Sequence, residues 1–124
     1  MRVVLIDTSL MLDCVNLKID VFTELDRLME GVYELRIPSG VLHELDEKKK
    51  GGGKKARDAS VAFALLEQRA AVEPSKGKVD DWLVKRGAEL NAVVCTNDSE
   101  LRRRLKDAGV SVISVRNRSQ LDYA

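Results

Sequence analysis

Acidic residues recur in this chain where a short apolar run ends. Arg2–Ile6 is β-branched and stops at Asp7-Thr8-Ser9, and Ala92–Thr96 stops at Asn97-Asp98. Glu44 lies in the early turns of the segment after Tyr33–Ile37 and Pro38, and Asp80-Asp81 opens the amphipathic stretch that begins at Val79. Each acid alone is explained as a helix cap or a first-turn residue. Their joint placement is harder to explain, because carboxylates converging on one edge repel one another by on the order of several kcal/mol at reduced dielectric. A hard divalent cation is the natural neutraliser. Oxygen donors without a His or Cys cluster select Mg²⁺ or Mn²⁺ over zinc or copper. Such ions activate water and offset charge at a phosphoryl group, so the chemistry implied is attack on a phosphodiester.

The elements that must position these acids can be read from periodicity and turn residues. Arg2–Ile6, Tyr33–Ile37, a brief Val72-Glu73, Ala92–Thr96 and Val110–Val115 read as strands. Helices are expected from Asp20 as N-cap to a stop at Gly31, from Ser39 as cap through Leu45, over Ala56–Gln68, from Val79 onward, and from Asn97-Asp98 to Gly109. Strands alternating with helices predict a three-layer α/β/α fold, with a central, mainly parallel sheet of four to five strands. In such a sheet ligands bind at the carboxyl ends of the strands, which is where the acids fall. The run Lys48-Lys-Lys-Gly-Gly-Gly-Lys-Lys55 combines glycine entropy with like-charge repulsion and predicts a mobile basic loop at about 48–55.

The chain has 124 residues, with 21 Lys+Arg against 20 Asp+Glu. That length suits one domain spanning 1–124, with enough core to fold without disulfides or a structural metal. The near-zero net charge excludes a globally basic nucleic-acid binder and leaves room for local basic patches. Cys14 and Cys95 lack the companions of a zinc site and read as reduced, buried thiols of a cytoplasmic protein, or a nuclear or nucleolar one in a eukaryote. No run is long enough to predict a secretory leader or a membrane span.

Four segments, Val-Leu-Ile-Asp-Thr-Ser9, Pro-Ser-Gly-Val-Leu-His-Glu44, Val-Asp-Asp-Trp-Leu83 and Val-Cys-Thr-Asn-Asp-Ser-Glu-Leu101, together resemble a PIN domain over essentially the whole chain. The resemblance implies a flap-nuclease-like fold and a Mg²⁺- or Mn²⁺-dependent endoribonuclease. It implies an acidic quartet of Asp7, Glu44, Asp98 and one of Asp80 and Asp81, with Asp81 fitting the family spacing slightly better through Trp82 and Leu83. Glu100 resembles an accessory acid. The basic insert after Glu44 and the Asn97–Arg104 ending are similar to the archaeal and eukaryotic branch that processes small-subunit ribosomal RNA, with the VapC-like toxin branch as rival. RNA is the implied substrate. A homodimer, a ribosome-assembly partner or an antitoxin are implied partners.

The neighbouring residues carry two readings each. Thr8, Ser9, Thr96 and Asn97 either orient carboxylates or a metal-bound water, or are ordinary turn and cap residues. Lys48, Lys49, Lys50, Lys54, Lys55 and Arg57 either hold an RNA backbone or form a solubilising loop. Among Arg102, Arg103 and Arg104, only one or two can face a cleft, since consecutive helix positions fan around the axis. His43 adjoins Glu44 but points about 100° away, which suits a bystander. With little aromatic surface, base stacking cannot dominate recognition. Two other classes fit less well. A non-catalytic RNA-binding or ribosome-assembly module would keep the acids without turnover. A phosphoacceptor receiver needs a Lys near the last strand, and none lies between Val110 and Val115.

Overall fold

Side chains alternate across the first strand, and this alternation divides the molecule into layers. In the computed structural model, which describes residues 1–124, β1 (Arg2–Ile6) sends Val4 and Ile6 to one face and Val3 and Leu5 to the other. The first face is covered by α1 (Thr8–Leu17), α2 (Val21–Met29), α3 (Ser39–Lys49) and α4 (Gly53–Arg69) through Leu10, Met11, Leu25, Leu45 and Leu66. The second face is covered by α5 (Val79–Leu90) and α6 (Ser99–Asp107) through Leu83, Leu101 and Leu105. β2 (Tyr33–Pro38), β3 (Ala71–Glu73), β4 (Val93–Cys95), β5 (Ser111–Arg116) and β6 (Gln120–Tyr123) complete one sheet of order β3-β2-β1-β4-β5-β6.

All pairings are parallel except β5–β6. The chain winds from β1 outward to β3, then returns through α5 to place β4 on the other side of β1. The order reverses between β1 and β4, and their following helices, α1 and α6, pack on opposite faces. A crevice therefore opens at the carboxyl ends of these two strands, the topological switch point of an open α/β sheet. No helix is long and apolar enough to cross a membrane.

The sheet has six strands where four to five were expected. The extra one, β6, pairs back on β5 through a hairpin whose central residues, Asn117 and Arg118, both have positive φ and lack the usual glycine signal. Helix α1 is also additional, built on Leu10, Met11 and Cys14 at helical spacing between polar residues. Asp20 caps α2 as expected, accepting from Phe22 and Thr23 N–H at 3.1 Å each. Ser39 does not cap α3; Pro38 takes that position, and the Ser39 hydroxyl accepts instead from Ser75 N–H at 2.9 Å.

The basic stretch 48–55 is not one loop. Helix α3 runs through Lys49 and α4 starts at Gly53, so only Lys50–Gly52 lies between them. Like-charge repulsion is relieved locally: Lys49 lies over the Phe63 ring and pairs with Asp46, Lys50 pairs with Glu47, and Lys54 pairs with Asp58. Such i,i+3 and i,i+4 pairs favour helix over loop.

Candidate functional site

Asp7 stands where β1 stops, as the N-cap of α1, and is 6% exposed. Its Oδ1 accepts from Thr8 N–H at 2.8 Å, and its Oδ2 accepts from the Ser9 and Thr96 hydroxyls at 2.9 Å each. The Thr96 hydroxyl also accepts from Asp98 N–H at 3.1 Å, so a single buried side chain ties the ends of β1 and β4 together. Asp98 is the exposed N-cap of α6, with Oδ1 on Leu101 N–H at 2.9 Å. Asn97 is held from three sides. Its N–H donates to Ser9 Oγ, its Nδ2 to Asp13 at 2.8 Å, and its Oδ1 accepts from Val115 N–H at 2.9 Å. Ser9 and Thr96 thus orient Asp7, Thr96 positions the Asp98 backbone, and the Asn97 amide is committed to α1 and β5.

Glu44 from α3 and Asp80 from α5 reach the same region and feel it. Burial raises the pKa of Glu44, and Asp7 and Asp80 add to the rise against the opposing Thr8 hydroxyl and Lys48. Burial raises Asp80 too, followed by the charges of Asp7 and Asp98, with Arg104 opposing. These mutual effects define a group of Asp7, Glu44, Asp80 and Asp98 brought from four separate segments.

Asp81 is not in that group. Its carboxylate is turned to Arg104 on α6 at 2.8 Å, with 62% of the side chain exposed. Neighbours on a helix point about 100° apart, so α5 can aim only one of the pair at the acids. The structure thus pairs Asp81 with Arg104 and sets Asp80 within reach of the Asp7 and Asp98 charges. Asp81, Glu100 and His43 are exposed and line the same cleft of ≈ 580 Å³ as Glu44, Asp80 and Arg104.

Two features missing from the motif reading set the distance between α3 and α5. Ser39 and Ser75 form a reciprocal clasp: Ser39 Oγ accepts from Ser75 N–H, and Ser75 Oγ accepts from Gly40 N–H, both at 2.9 Å. At Gly40 a Cβ would sit 2.8 Å from Val79 Cγ2, so the glycine permits the approach that brings Glu44 toward Asp80. The Pro38-Ser39-Gly40 run and Ser75 are the sequence signal, readable only once the two segments are known to touch.

The donors suit a hard cation in kind. All are carboxylate oxygens, the pKa of Glu44 and Asp80 is raised by burial and then by neighbouring acids, and the buried Thr8 hydroxyl has no hydrogen-bond partner. Asp7 Oδ1 accepts one bond where a carboxylate oxygen can accept two, leaving a lone pair free. No three of these acids lie close enough together to form a ready-made cation site.

The expected basic cluster is divided. Lys49, Lys50 and Lys54 are engaged by Asp46, Glu47 and Asp58, whereas Lys48 lies near Glu44, and Lys55 and Arg57 are exposed. Both cysteines are buried, and burial pushes the Cys14 thiol up to about 12 and raises Cys95 as well, which makes neither a nucleophile.

Known proteins resemble this chain over nearly its whole length. The sequence model described as a PIN like domain matches residues 4–118. Ribonuclease VapC4 of Methanocaldococcus jannaschii is 25% identical over 120 residues, covering 94% of this chain and 92% of its own. The PIN domain endonuclease Utp24 superposes with a TM-score of 0.81 at 26% identity, covering 98% of this chain and 90% of that one. VapBC-1 from nontypeable Haemophilus influenzae shares the fold, with a TM-score of 0.60 at 16% identity over 86% of this chain and 94% of its own.

Proposed function

The chain belongs to the PIN-like domain family, and from that premise we propose that it is a metal-dependent endoribonuclease, cutting RNA at phosphodiester bonds in the crevice between β1 and β4. The observation that carries the reading is the group Asp7, Glu44, Asp80 and Asp98, drawn from four segments, in which burial and the charges of neighbouring acids raise the pKa of Glu44 and Asp80. A fold tolerates such a cost at a functional site.

Asp7, Asp80 and Asp98 would hold Mg²⁺ or Mn²⁺, with Glu44 at the α3 side. A bound divalent ion would lower the pKa of its water and offset charge on the phosphoryl oxygens. The chain's own residues do the rest. Ser9 and Thr96 fix the Asp7 carboxylate by donating to Oδ2, while Oδ1 keeps one lone pair beside its bond from Thr8 N–H. Thr96 also fixes the turn that carries Asp98. Glu44, whose pKa is raised, can accept a proton in the cleft. His43 and Lys78 on the rim offer donors to the RNA backbone, along with Lys48, Lys55 and Arg57. The expected products carry 5′-phosphate and 3′-hydroxyl ends.

Residues 1–124 are taken as one nuclease domain, and its buried thiols suit a reducing compartment such as the cytoplasm. The basic insert after Glu44 and the Asn97–Arg104 ending favour ribosomal RNA processing as the setting. The likeness to Ribonuclease VapC4 supports a toxin ribonuclease with an antitoxin partner as the second reading.

The test is cleavage of labelled single-stranded and structured RNA, with matched DNA, in Mg²⁺ and in Mn²⁺. Asp7→Asn and Asp98→Asn keep size and remove charge, and each should lower cleavage by about a hundredfold or more. Full activity of Asp7→Asn would sink the assignment. RNA binding that survives EDTA, with no cutting under any metal, would move the protein to the class of assembly modules.

A further inference from the structure

A second recess of ≈ 320 Å³ is lined by Asp13, Asn16, Asn97, Arg102, Val115 and Arg118. Arg102 and Arg104 sit two positions apart on α6, about 200° around the axis, so the helix turns Arg104 to the acid cleft and Arg102 to this recess. The arginines nearest in sequence are all neutralised: Arg103 by Asp107, Arg104 by Asp81 and Arg116 by Asp122. Arg102 and Arg118 have no such partner. The acid in the recess, Asp13, is taken up by Asn97 Nδ2 at 2.8 Å and neutralises neither guanidinium.

Arg118 is also where a smaller residue would be expected. It follows Asn117 in the β5–β6 hairpin turn, closed by Ser119 N–H on Arg116 O at 3.2 Å, and both central residues have positive φ, 53° and 57°. Such turns favour Asn-Gly, and an arginine in the second place meets a steric penalty that glycine does not. A strained side chain beside a functional cleft points to a use for that side chain.

We propose that Arg102 and Arg118 form a phosphate-binding subsite for the single-stranded RNA substrate, holding its backbone across Asp98 from the acid cleft; this rests on the nuclease reading above. An RNA strand crossing a group of carboxylates is repelled along the crossing, and cations flanking the acids offset that repulsion. Planar guanidinium groups match phosphate oxygens with paired hydrogen bonds. The Asn97 side chain, locked between α1 and β5, forms the fixed wall between acids and arginines.

The test is fluorescence-anisotropy binding of a labelled single-stranded oligoribonucleotide in EDTA, across a salt series, with wild type, Arg102→Gln, Arg118→Gly, the double variant and Lys85→Gln. Lys85 is an exposed cation of α5 that lines neither recess. Arg102→Gln and Arg118→Gly should each weaken binding by about three- to tenfold at low salt, and flatten the slope of log K against log salt by about 0.7 for each phosphate no longer held. Lys85→Gln should stay within about twofold, and Arg102→Lys should recover only part of the loss, because it keeps the charge without the fork. Arg118→Gly relieves the turn, so it should melt at or above the wild-type temperature and cannot fail by unfolding. Unweakened binding by the arginine variants, equal weakening by Lys85→Gln, or no measurable RNA binding by wild type would overturn the subsite. Wild-type cleavage in Mn²⁺ is run alongside. Cutting by wild type together with unweakened arginine variants rejects the subsite and leaves the nuclease. No cutting, with RNA lost on arginine substitution, rejects the nuclease and keeps the subsite.

Discussion

Two groups of charged side chains reach across from α5, and they are built on opposite principles. In the first, Glu73 of β3 accepts from Arg36 of β2 at 2.8 Å and from Arg86 of α5 at 3.0 Å, while Arg36 also pairs with Glu34 at 2.9 Å. Burial works to raise the pKa of Glu73, but the two guanidinium groups overcome it and hold the carboxyl below its ordinary range. In the second, Asp80 at the other end of α5 is raised in pKa by burial and then by the charges of Asp7 and Asp98. One helix thus carries a group neutralised from within and a group left for neutralisation from outside. The first fastens the short edge strand β3 to the body of the molecule. The second weakens the fold slightly, which is the trade expected of the cation-holding role proposed for it.

The largest break in this contrast should come from separating Asp80 and Asp81. Asp80→Asn should lower RNA cleavage by about a hundredfold or more, whereas Asp81→Asn, which loses only the exposed pair with Arg104, should change it by less than about tenfold. Equal losses in single-turnover assays would restore Asp81 to the acidic group. Next is Gly40→Ala. The added Cβ must push Val79 away or move α5, so a stability loss of about 1–3 kcal/mol is expected in urea melts, together with a drop in cleavage as Glu44 and Asp80 separate.

The self-neutralised group should respond in stability alone. Glu73→Gln replaces the charged acceptor shared by two arginines with a neutral amide and should cost about 1–2 kcal/mol, with cleavage by the folded protein unchanged. The smallest effect has the opposite sign. In metal-free buffer at pH 7, Asp80→Asn removes a repelling charge and should raise Tm by roughly 1–3 °C. The sign follows from the raised pKa: ionised Asp80 costs stability above its folded pKa, and the cost is gone below the ordinary value of 3.8. The advantage of Asn should therefore fade as the pH falls toward 3.8, and an advantage that persisted in acid would show that repulsion is not its cause.

Much of this arrangement is legible before any folding. The strand cores, the Asp20 cap, the acids at strand ends and the mainly parallel sheet follow from period-2 and period-3.6 spacing, because burial of one face acts on every residue of an element in the same register. The basic stretch misleads, since a run of lysines carries a repulsion that Asp46, Glu47 and Asp58 cancel once helices place them alongside. The β5–β6 hairpin is hidden because Asn117-Arg118 carries no turn glycine.

What the sequence by itself determined is which residues could bear charge at the carboxyl edge, and the family to which four ordered motifs belong. Only the tertiary structure decided which of Asp80 and Asp81 faces Asp7, that Thr96 joins two acids, that Gly40 sets the spacing of α3 and α5, and which arginines stay unpaired. The reason is physical. Local spacing dictates burial within one element, whereas the partner of a charge is chosen by distances between elements that lie far apart along the chain.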